Sequence, residues 1–404
     1  MKPKVAFLRG ANLNDAELAS YTPLTEAFQF SFYHCARGAL PIRAEGVQTK
    51  MLWYGDDLIR ALPRKLRNRA MLAAMQLTGP IDIPLDAEAV CASHAIVHTA
   101  ETFSGYSLRA VDLKRRHRHK VVVTVWENIP FLHENTPTRP FGNKLAPAKA
   151  RVRQGADHFL VPSESARQAL ELEGVPPERI SYTGVAVDLK RFQPRARQRQ
   201  LHRRLGIDPQ ARIVLFAGRM IWEKGVFDLL EAFARLHRAG RLDGQTHLLY
   251  CGNPFEKERL AFESERLQLT HRVHFLSGQV YANIDQMPSL YNDADVLVLP
   301  SLPTRFWKEQ FGIVLIEAMA SGLPVIGASN GAIPEVVGDG GLIFPAHDTD
   351  ALARVLEGLL NSPTRCRELA ERGRARVEAV YSPQAVSQRI QRAYELVLSG
   401  GPGP

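Results

Sequence analysis

The chain has 404 residues, of which 45% are hydrophobic and 23% are charged, as is typical of an ordinary soluble globular protein. The 29 glycines and 26 prolines are near background frequency, which excludes collagen-like and low-complexity sequence. The 51 lysines and arginines exceed the 42 acidic residues, giving a net charge of +9 that favours an anionic partner. The length predicts two domains.

Cysteine spacing and hydropathy restrict the cellular setting. The cysteines at 35, 91, 251 and 366 have no metal-ligand or redox spacing, so reduced cytosolic thiols are the first interpretation and two disulfides the alternative. The apolar run 5–8 is too short for a signal peptide, and no stretch approaches the ~20 apolar residues of a membrane span. We expect a cytoplasmic protein, with peripheral contact at the inner face of the membrane left open.

Short apolar runs alternate with helical patterns along the chain. The first series of predicted strands is KVAFLRG (4–10), QTKMLWYG (48–55), AIVHTAE (95–101), KVVVTVWE (120–127), HFLVPS (158–163) and RISYTGV (179–185). The second series is RIVLFAG (212–218), THLLYCG (246–252), RVHFLSG (272–278), ADVLVLP (294–300) and PVIGAS (324–329). Apolar strands separated by helices are typical of a parallel sheet covered on both faces. Two such series predict two doubly wound, Rossmann-like α/β domains.

A basic segment marks the predicted domain boundary. Residues 190–205 carry seven basic side chains and no acidic one, which favours a solvated connector leading into a short helix, with phosphate or membrane contact as the alternative. The boundaries are therefore set at 1–190 and 191–382, with a final helix over 383–398 expected to join the first domain. A proline after Ser382 separates this helix from the one before it.

The segment 307–335 holds two glutamates eight positions apart. Glu309 is predicted to lie in a loop, and Glu317 on the second turn of a helix that begins near Gly312. A helix N-terminus offers free N–H groups to phosphate or sugar oxygens, and a carboxylate accepts two hydrogen bonds from a vicinal diol such as a ribose. The alternative is a surface glutamate and a helix-capping glutamate, but the flanking Gly312 and the helix stop at 321–324 favour a ligand site.

A second cluster follows the strand 212–218. Gly218 permits a tight turn, and Arg219 and Lys224 are cations suited to a pyrophosphate. Gly225 then opens the next helix. Solvated surface charges are the alternative, but ligands of open α/β sheets bind at the carboxyl ends of strands, so the position favours phosphate binding.

These motifs carry a family resemblance, dense over about residues 180–380. The second domain resembles the donor-binding domain of retaining, family 4 glycosyltransferases, which have the GT-B fold of two Rossmann-like domains facing across a cleft. The matching stretches are GRMIWEKG, VHFLSGQV, LYNDADVLVLPS, EQFGIVLIEAMASGLPVI and GAIPEVV with the following GGLIFPAHDTDAL.

The resemblance implies a nucleotide-sugar donor site in the second domain. Its expected members are Gly218, Arg219, Lys224, Gly278, Val280, Glu309, Phe311, Gly312, Ile313, Val314 and Glu317. Arg219 and Lys224 would hold the leaving diphosphate, Glu309 the sugar hydroxyls and Glu317 the ribose diol. The backbone of 311–314 would contact sugar and phosphate, and the turn at 278–280 would face the base.

The resemblance also implies that no metal and no further cofactor is needed, since cations and a helix dipole neutralise the diphosphate. Asp293 and Asp295 have the spacing of a metal-binding pair. They come directly before a strand, so a structural role is predicted for them instead.

The first domain would bind the acceptor, a glycan, a lipid-linked glycan or a small molecule. Gly10 and Asn12 lie in the loop after the first strand, which is expected to face the cleft. Where many relatives have a histidine after the strand segment VVVTV (121–125), this chain has Trp126. Glu127 is the candidate substitute in catalysis, beside Glu309, Arg219 and Lys224, and a structural carboxylate is its alternative. His98 is a weaker candidate, because a buried core histidine is the more frequent case.

Together these observations predict a retaining, metal-independent glycosyltransferase of polysaccharide or glycoconjugate biosynthesis, in which the leaving diphosphate assists deprotonation of the acceptor. The alternatives are a GT-B epimerase and a basic nucleic-acid-binding protein. No recognition helix, RNP motif or zinc finger supports nucleic-acid binding, so none is expected. Two basic stretches, 58–77 and 114–120, suit contact with a membrane or with anions. For 58–77 an ordinary helix with a charged outer face is the favoured interpretation, and the end of a surface helix is the alternative for 114–120.

Overall fold

A computed structural model describes residues 2–36, 49–132, 134, 144–276 and 286–400. The chain forms two compact units. Unit 1 is built from segments 1–186 and 383–404, and unit 2 from 187–382. Each contains a parallel sheet with helices, so the prediction of two Rossmann-like α/β domains is confirmed.

Unit 1 has a parallel sheet of seven strands within the described residues, in the order β3-β2-β1-β4-β5-β6-β7. The strands are β1 Lys4–Gly10, β2 Gln29–Cys35, β3 Thr49–Leu52, β4 Ile96–Ala100, β5 Lys120–Thr124, β6 His158–Val161 and β7 Ile180–Tyr182. The helices are α1 Asp15–Leu18, α2 Asp57–Arg60, α3 Arg64–Thr78, α4 Ala87–Ser93, α5 Gly105–His117, α6 Leu145–Gly155 and α7 Glu164–Leu172. Short 3₁₀ turns cover Thr22–Glu26 and Pro177–Arg179.

Both faces of this sheet are buried, as near-continuous apolar strands require. Alternate residues of β1 belong to different cores: Leu8 packs in one with α4 to α7, and Phe7 packs in the other. The second core includes Ile390 and Tyr394 of the chain's last described helix, Pro383–Ser399. The C-terminal helix is therefore part of unit 1.

Unit 2 has a parallel six-stranded sheet within the described residues, in the order β10-β9-β8-β11-β12-β13. Its strands are β8 Arg212–Ala217, β9 Thr246–Cys251, β10 Val273–Leu276, β11 Val296–Leu299, β12 Val325–Ala328 and β13 Leu342–Phe344. Its helices are α8 Gln200–Leu205, α9 Val226–Arg238, α10 Lys257–Arg266, α11 Met287–Asp293, α12 Ile313–Ala320, α13 Ile333–Val337, α14 Thr349–Leu360 and α15 Pro363–Val380. The helix Pro383–Ser399 of unit 1 is α16.

The elements follow the predicted patterns closely in unit 2. Val226, Leu229, Leu230 and Phe233 recur at helical spacing in α9 and are all buried, which is the stripe expected of a helix packed on a sheet. The final break is also as predicted, because α15 ends at Val380 and α16 begins at Pro383.

The basic connector 190–205 packs on unit 2 more closely than a solvated linker would. Phe192 and Leu201 are buried, and the predicted short helix is α8. Asp293 accepts hydrogen bonds from the backbone N–H groups of Arg199 and Leu201, and Asp295 from that of Ile213. The structural role predicted for the two aspartates is thus confirmed.

Each sheet has one point where the strand order reverses direction. In unit 1 it lies between β1 and β4, and in unit 2 between β8 and β11. Loops leave the carboxyl ends of such neighbouring strands in opposite directions and open a crevice, which is where ligands of this architecture bind. The loops after β8 and β11 are the ones that carry Arg219, Lys224 and Glu309.

Candidate functional site

Glycines shape the loop that follows β8. The chain passes through a 3₁₀ turn at Trp222–Lys224 and reaches Gly225, whose φ is +68°. A Cβ on Gly225 would overlap the carbonyl oxygen of Pro300, at the end of β11. Only glycine therefore allows the loops after the two central strands to approach this closely.

Lys224 and Glu309 meet between these two loops. The Nζ of Lys224 lies 2.5 Å from Oε2 of Glu309, and Ser301 Oγ donates to the same oxygen at 2.8 Å. The ammonium group also lies 5.0 Å from the centroid of the Trp307 ring, a cation–π distance. Both charged side chains are largely buried, so the structure brings together two of the predicted catalytic residues.

Arg219 lies in the same loop but in a different environment. It is exposed, and its guanidinium has no ion-pair partner in the part of the chain that the structure describes. An uncommitted arginine at the carboxyl end of a central strand can bind an anion through two parallel N–H groups. The neighbouring Gly218 lies against Gly252, whose Cβ would overlap the Gly218 carbonyl oxygen.

Gly312 starts α12 in the left-handed region, with φ of +84° and ψ of +57°. A Cβ there would press on Leu315 and Leu299 at 3.0 and 3.1 Å. The first free N–H groups of the helix are those of Ile313 and Val314, for which the described residues provide no acceptor. They lie at the helix end where the sequence predicts contact with phosphate or sugar oxygens, and that contact stays a prediction.

The side chain of Phe311 is buried, and its ring contacts Tyr381 edge-on. Phe311 thus offers a ligand its backbone alone. The backbone of Glu309 is fixed as well, because its carbonyl oxygen accepts the N–H of Ala332 at 3.0 Å and a Cβ on Gly331 would overlap it.

Glu317 lies on the second turn of α12, as predicted. It is only 8% exposed, and Tyr291 donates its hydroxyl to Oε2 at 2.7 Å. Burial raises the pKa of the Glu317 carboxyl to about 7, against the Tyr291 hydrogen bond and the charge of Arg191, which both lower it. Gly278 and Val280, predicted to face the base, lie outside the described residues.

In unit 1, the predicted loop residues Gly10 and Asn12 lie at the carboxyl end of β1, and Gly10 is the last residue of the strand. Gly10 has φ of +55° and lies close to the rings of Tyr106 and Tyr54, while Asn12 is exposed. His98 is a core histidine, as its alternative interpretation held. Its ring nitrogens bond Tyr394 and Thr124 at 2.6 and 2.7 Å, and burial lowers its pKa to about 3.

Glu127 follows β5 and pairs with a buried lysine. The Nζ of Lys149 lies 2.6 Å from Oε2 of Glu127 and 3.3 Å from Glu173, and Arg153 contacts Glu173 at 3.0 Å. Burial raises the pKa of the Glu127 carboxyl and Lys149 opposes this. The arrangement gives Glu127 a structural contact, and its catalytic role stays a prediction.

Sequence reasoning missed a second carboxylate of unit 1, Glu101, at the carboxyl end of β4. Its φ is +63°, unusual for a residue other than glycine. Oε1 accepts the N–H of Trp126 at 3.1 Å, and Oε2 is buried without a hydrogen-bond partner among the described residues. Burial, then the charge of Glu127, raises the pKa of Glu101 to about 7, and Arg9 opposes this.

Arg9 itself forms a buried ion pair with Glu17 at 2.8 Å. Burial is the largest single influence and lowers the pKa of the guanidinium. The charge and hydrogen bond of Glu17, with smaller contributions from Tyr106 and Glu101, together raise this pKa above its ordinary value. Arg9 and Glu101 could have been found in the sequence by their position, because each lies at the carboxyl end of one of the two central strands of unit 1.

One family model matches the segment that holds the Lys224–Glu309 pair. Residues 197–376 match the model described as glycosyl transferases group 1.

Curated proteins similar to this chain include the MMP alpha-(1->4)-mannosyltransferase of Mycolicibacterium hassiacum, 35% identical over 256 residues, which are 62% of this chain and 56% of the relative. The D-inositol 3-phosphate glycosyltransferase of Mycolicibacterium gilvum is 33% identical over 57% of this chain and 50% of its own. The chain thus spans about half the length of the curated relatives it matches.

Solved structures show the same fold over the whole chain. Sucrose-phosphate synthase from Thermosynechococcus elongatus superposes with a TM-score of 0.72 at 20% identity, covering 99% of this chain and 100% of that one. Anabaena HepE in complex with UDP and glucose superposes with a TM-score of 0.70 at 16% identity, covering 97% of this chain and 99% of HepE. These likenesses confirm the GT-B class of the fold.

Two features are absent from the described residues. No group of three or more His, Cys, Asp or Glu side chains suited to a metal ion is found there. Nor does any helix of the described chain have the length and apolar character needed to cross a membrane.

Proposed function

We propose that the chain is a retaining glycosyltransferase of family 4 that moves a sugar from a nucleotide-diphosphate sugar to a hydroxyl group. The observation that carries this proposal is the junction of Lys224 and Glu309 beside the free N-terminus of α12. It places a cation, a carboxylate and free N–H groups at the switch point of unit 2, where diphosphate and sugar need them.

Each residue has a distinct part in the proposed reaction. Arg219 and Lys224 bind the diphosphate and stabilise the charge that grows on it as the bond to the sugar breaks. Glu309 accepts hydrogen bonds from sugar hydroxyls, and Glu317 binds the ribose. The acceptor oxygen attacks the face that the diphosphate leaves, and its proton passes to a leaving phosphate oxygen. The bond broken is the sugar–phosphate bond, and the bond formed is the new glycosidic bond.

Unit 1 is proposed to bind the acceptor. The relatives' names, a mannosyltransferase and inositol phosphate glycosyltransferases, support a polyhydroxylated acceptor, either a small molecule or a glycan on a lipid. No metal and no cofactor beyond the nucleotide sugar is proposed. We also propose that the enzyme acts in the cytoplasm, in contact with the inner face of the membrane.

The first experiment is a thermal-shift screen with UDP-, GDP- and ADP-sugars, since a ligand that binds only the native state raises the melting temperature. The donor that gives a shift is then incubated, with its anomeric carbon labelled, with candidate acceptors. A glycoside with the donor's anomeric configuration supports the proposal. A free nucleotide sugar with altered stereochemistry indicates the epimerase alternative instead. No shift with any nucleotide sugar, together with saturable nucleic-acid binding, contradicts the proposal.

A further inference from the structure

Tyr291 and Glu317 form a buried hydrogen-bonded pair inside the candidate donor site. The tyrosine lies on α11 and is 1% exposed, and the ring of Phe192, from the connector, packs beside it with centroids 6.0 Å apart. The phenol therefore has a fixed position. Its hydroxyl donates to Oε2 of Glu317 at 2.7 Å, which fixes the carboxylate in turn.

This bond distinguishes the two carboxylate oxygens. Oε2 is engaged by the phenol, whereas no donor among the described residues lies within hydrogen-bond distance of Oε1. Oε1 is not one of the buried side-chain oxygens that lack a hydrogen-bond partner, so it is accessible to solvent. Glu317 thus has one oxygen held by the protein and the other open to a ligand.

The same bond opposes the effect of burial on the charge of Glu317. Burial favours the neutral acid and raises the pKa to about 7, while the Tyr291 hydroxyl and the Arg191 guanidinium favour the carboxylate. A protonated carboxyl loses acceptor capacity. A tyrosine that donates to the ionised form therefore preserves the form that can accept two hydroxyl groups of a ribose.

We propose that Tyr291 is a positioning residue for the donor's ribose: by holding Oε2, it aims Oε1 at the ribose hydroxyls. The same hydrogen bond favours the carboxylate over the neutral acid. This inference rests on the proposed function, because it takes the ribose as the ligand of Glu317. It adds a residue that touches no substrate itself and acts only through the carboxylate. Its consequence is a pH-dependent affinity for the ribose.

The test uses the full chain with the Tyr291→Phe substitution. Calorimetry measures the affinity for UDP, GDP and ADP, each beside its 2′,3′-dideoxy analogue, from pH 6 to 9. For the unsubstituted protein we expect the preference for the hydroxylated ribose to grow as pH rises through about 7. In Tyr291→Phe the midpoint should move up by about one pH unit or more, with about a five- to tenfold loss of the preference at pH 7 that is regained at pH 9.

Two further variants separate position from general damage. Tyr250→Phe also removes a buried phenol hydroxyl, one that donates to the Val226 carbonyl in the same unit, and it should leave the pH profile unchanged. Glu317→Gln keeps the shape of the side chain and cannot titrate. The preference of Glu317→Gln for the hydroxylated ribose should be small and independent of pH. This result tests whether Glu317 causes the pH dependence, even if Tyr291→Phe fails to fold.

The outcomes distinguish this inference from the proposed function. If the unsubstituted protein shows no preference for the hydroxylated ribose, the assignment of Glu317 and with it the proposed donor site are wrong. If the preference exists but Tyr291→Phe leaves its size and its pH midpoint unchanged, the positioning role alone is overturned. A flat profile in Glu317→Gln together with a shifted one in Tyr291→Phe supports both.

Discussion

The ammonium group of Lys224 and the carboxylate of Glu309 lie 2.5 Å apart although 85 positions separate them in the chain. The pair joins the loops that follow β8 and β11, the two strands at the switch point of unit 2. A lysine has three donor hydrogens, so binding Glu309 leaves Lys224 able to contact a phosphate as well. The pair therefore fixes both loops, and it places a cation beside the carboxylate that we propose to bind the donor sugar.

Lys224→Ala and Arg219→Ala should differ in stability while sharing a defect in turnover. Each removes a cation from the diphosphate site, so kcat should fall about a hundredfold or more. Lys224→Ala also leaves the Glu309 carboxylate without its cation, which should lower the free energy of unfolding by about 1–3 kcal/mol. Arg219 is exposed, so its removal should change stability little. Steady-state kinetics and urea denaturation measure both quantities.

Lys308→Ala is the matched control, since Lys308 is an exposed lysine next to Glu309. It should keep both turnover and stability near those of the unsubstituted protein. Turnover within twofold of normal in Arg219→Ala and Lys224→Ala would show that neither side chain contacts the leaving group.

Glu317→Ala should weaken donor binding without abolishing the fold. A hydrogen bond to a charged group contributes ~1.5–3 kcal/mol, so the loss of the ribose contact corresponds to about a ten- to hundredfold rise in Kd. Titration calorimetry with the donor measures the change, and circular dichroism verifies folding. An unchanged donor affinity in the folded variant would remove Glu317 from the site.

Activity should survive chelation. The proposed mechanism neutralises the diphosphate with Arg219, Lys224 and the N-terminus of α12, so the rate after dialysis against EDTA should match the rate with added magnesium or manganese. Loss of activity on chelation, restored by either metal, would contradict this part of the proposal.

Much of unit 2 follows from the sequence because its signals are local. Gly312 precedes an apolar helix and Gly225 another, and each was expected where the structure has it. Two strands were not predicted. In β2, Ser31 and His34 interrupt the apolar run, and β13 has only three residues, Leu342–Phe344, at the edge of its sheet. Short or interrupted strands of this kind form because neighbouring strands pair with them, so the local sequence does not predict them.

The contacts that determine the pKa values of Glu101 and Glu317 could not be predicted from the sequence, for a different reason. Tyr291 and Glu317 are 26 positions apart on separate helices, and no periodicity relates them. Glu101 is a polar residue after a strand like many others, and its positive φ comes from the surrounding structure. Burial decides the pKa of both glutamates, and burial is a property of the assembled unit.

Glu101→Gln should stabilise the protein at alkaline pH. The folded-state pKa of about 7 is above the ordinary 4.5 of a glutamate, so the fold prefers the protonated acid. The contribution of Glu101 to stability is therefore present below pH 4.5 and is lost as pH rises through 7. Glutamine carries no charge at any pH. At pH 8 the free energy of unfolding of the variant should be about 1–3 kcal/mol higher than that of the unsubstituted protein. Near pH 4 the two values should agree.

Glu265→Gln, at an exposed position of α10, provides the control and should leave the pH dependence of stability unchanged. Denaturant titrations at pH 4, 6 and 8 supply the free energies. Equal stability of Glu101→Gln and the unsubstituted protein at pH 8 would mean that the Glu101 carboxylate is not penalised by burial.

The stretch 58–77 should bind anionic membranes through exposed apolar and basic side chains. Leu58 and Leu66 are 75% and 56% exposed, and Lys65 and Arg69 are exposed beside them. A basic residue near an anionic surface contributes about 1 kcal/mol, so several together would hold the protein reversibly. Co-sedimentation with vesicles of phosphatidylglycerol and phosphatidylcholine measures the binding.

Salt and substitution test the two components of this attraction. Exposed charges are screened within ~10 Å at 0.1 M salt, so binding to the anionic vesicles should weaken as salt rises. The double variant Leu58→Ser, Leu66→Ser should bind less at every salt concentration because two apolar anchors are gone. Phe262→Ser removes a side chain that is 63% exposed on α10 of unit 2, and it should bind like the unsubstituted protein. Equally negligible binding to both vesicle types at low salt would make the stretch a solvated helix, and a soluble acceptor would then be favoured over a lipid-linked one.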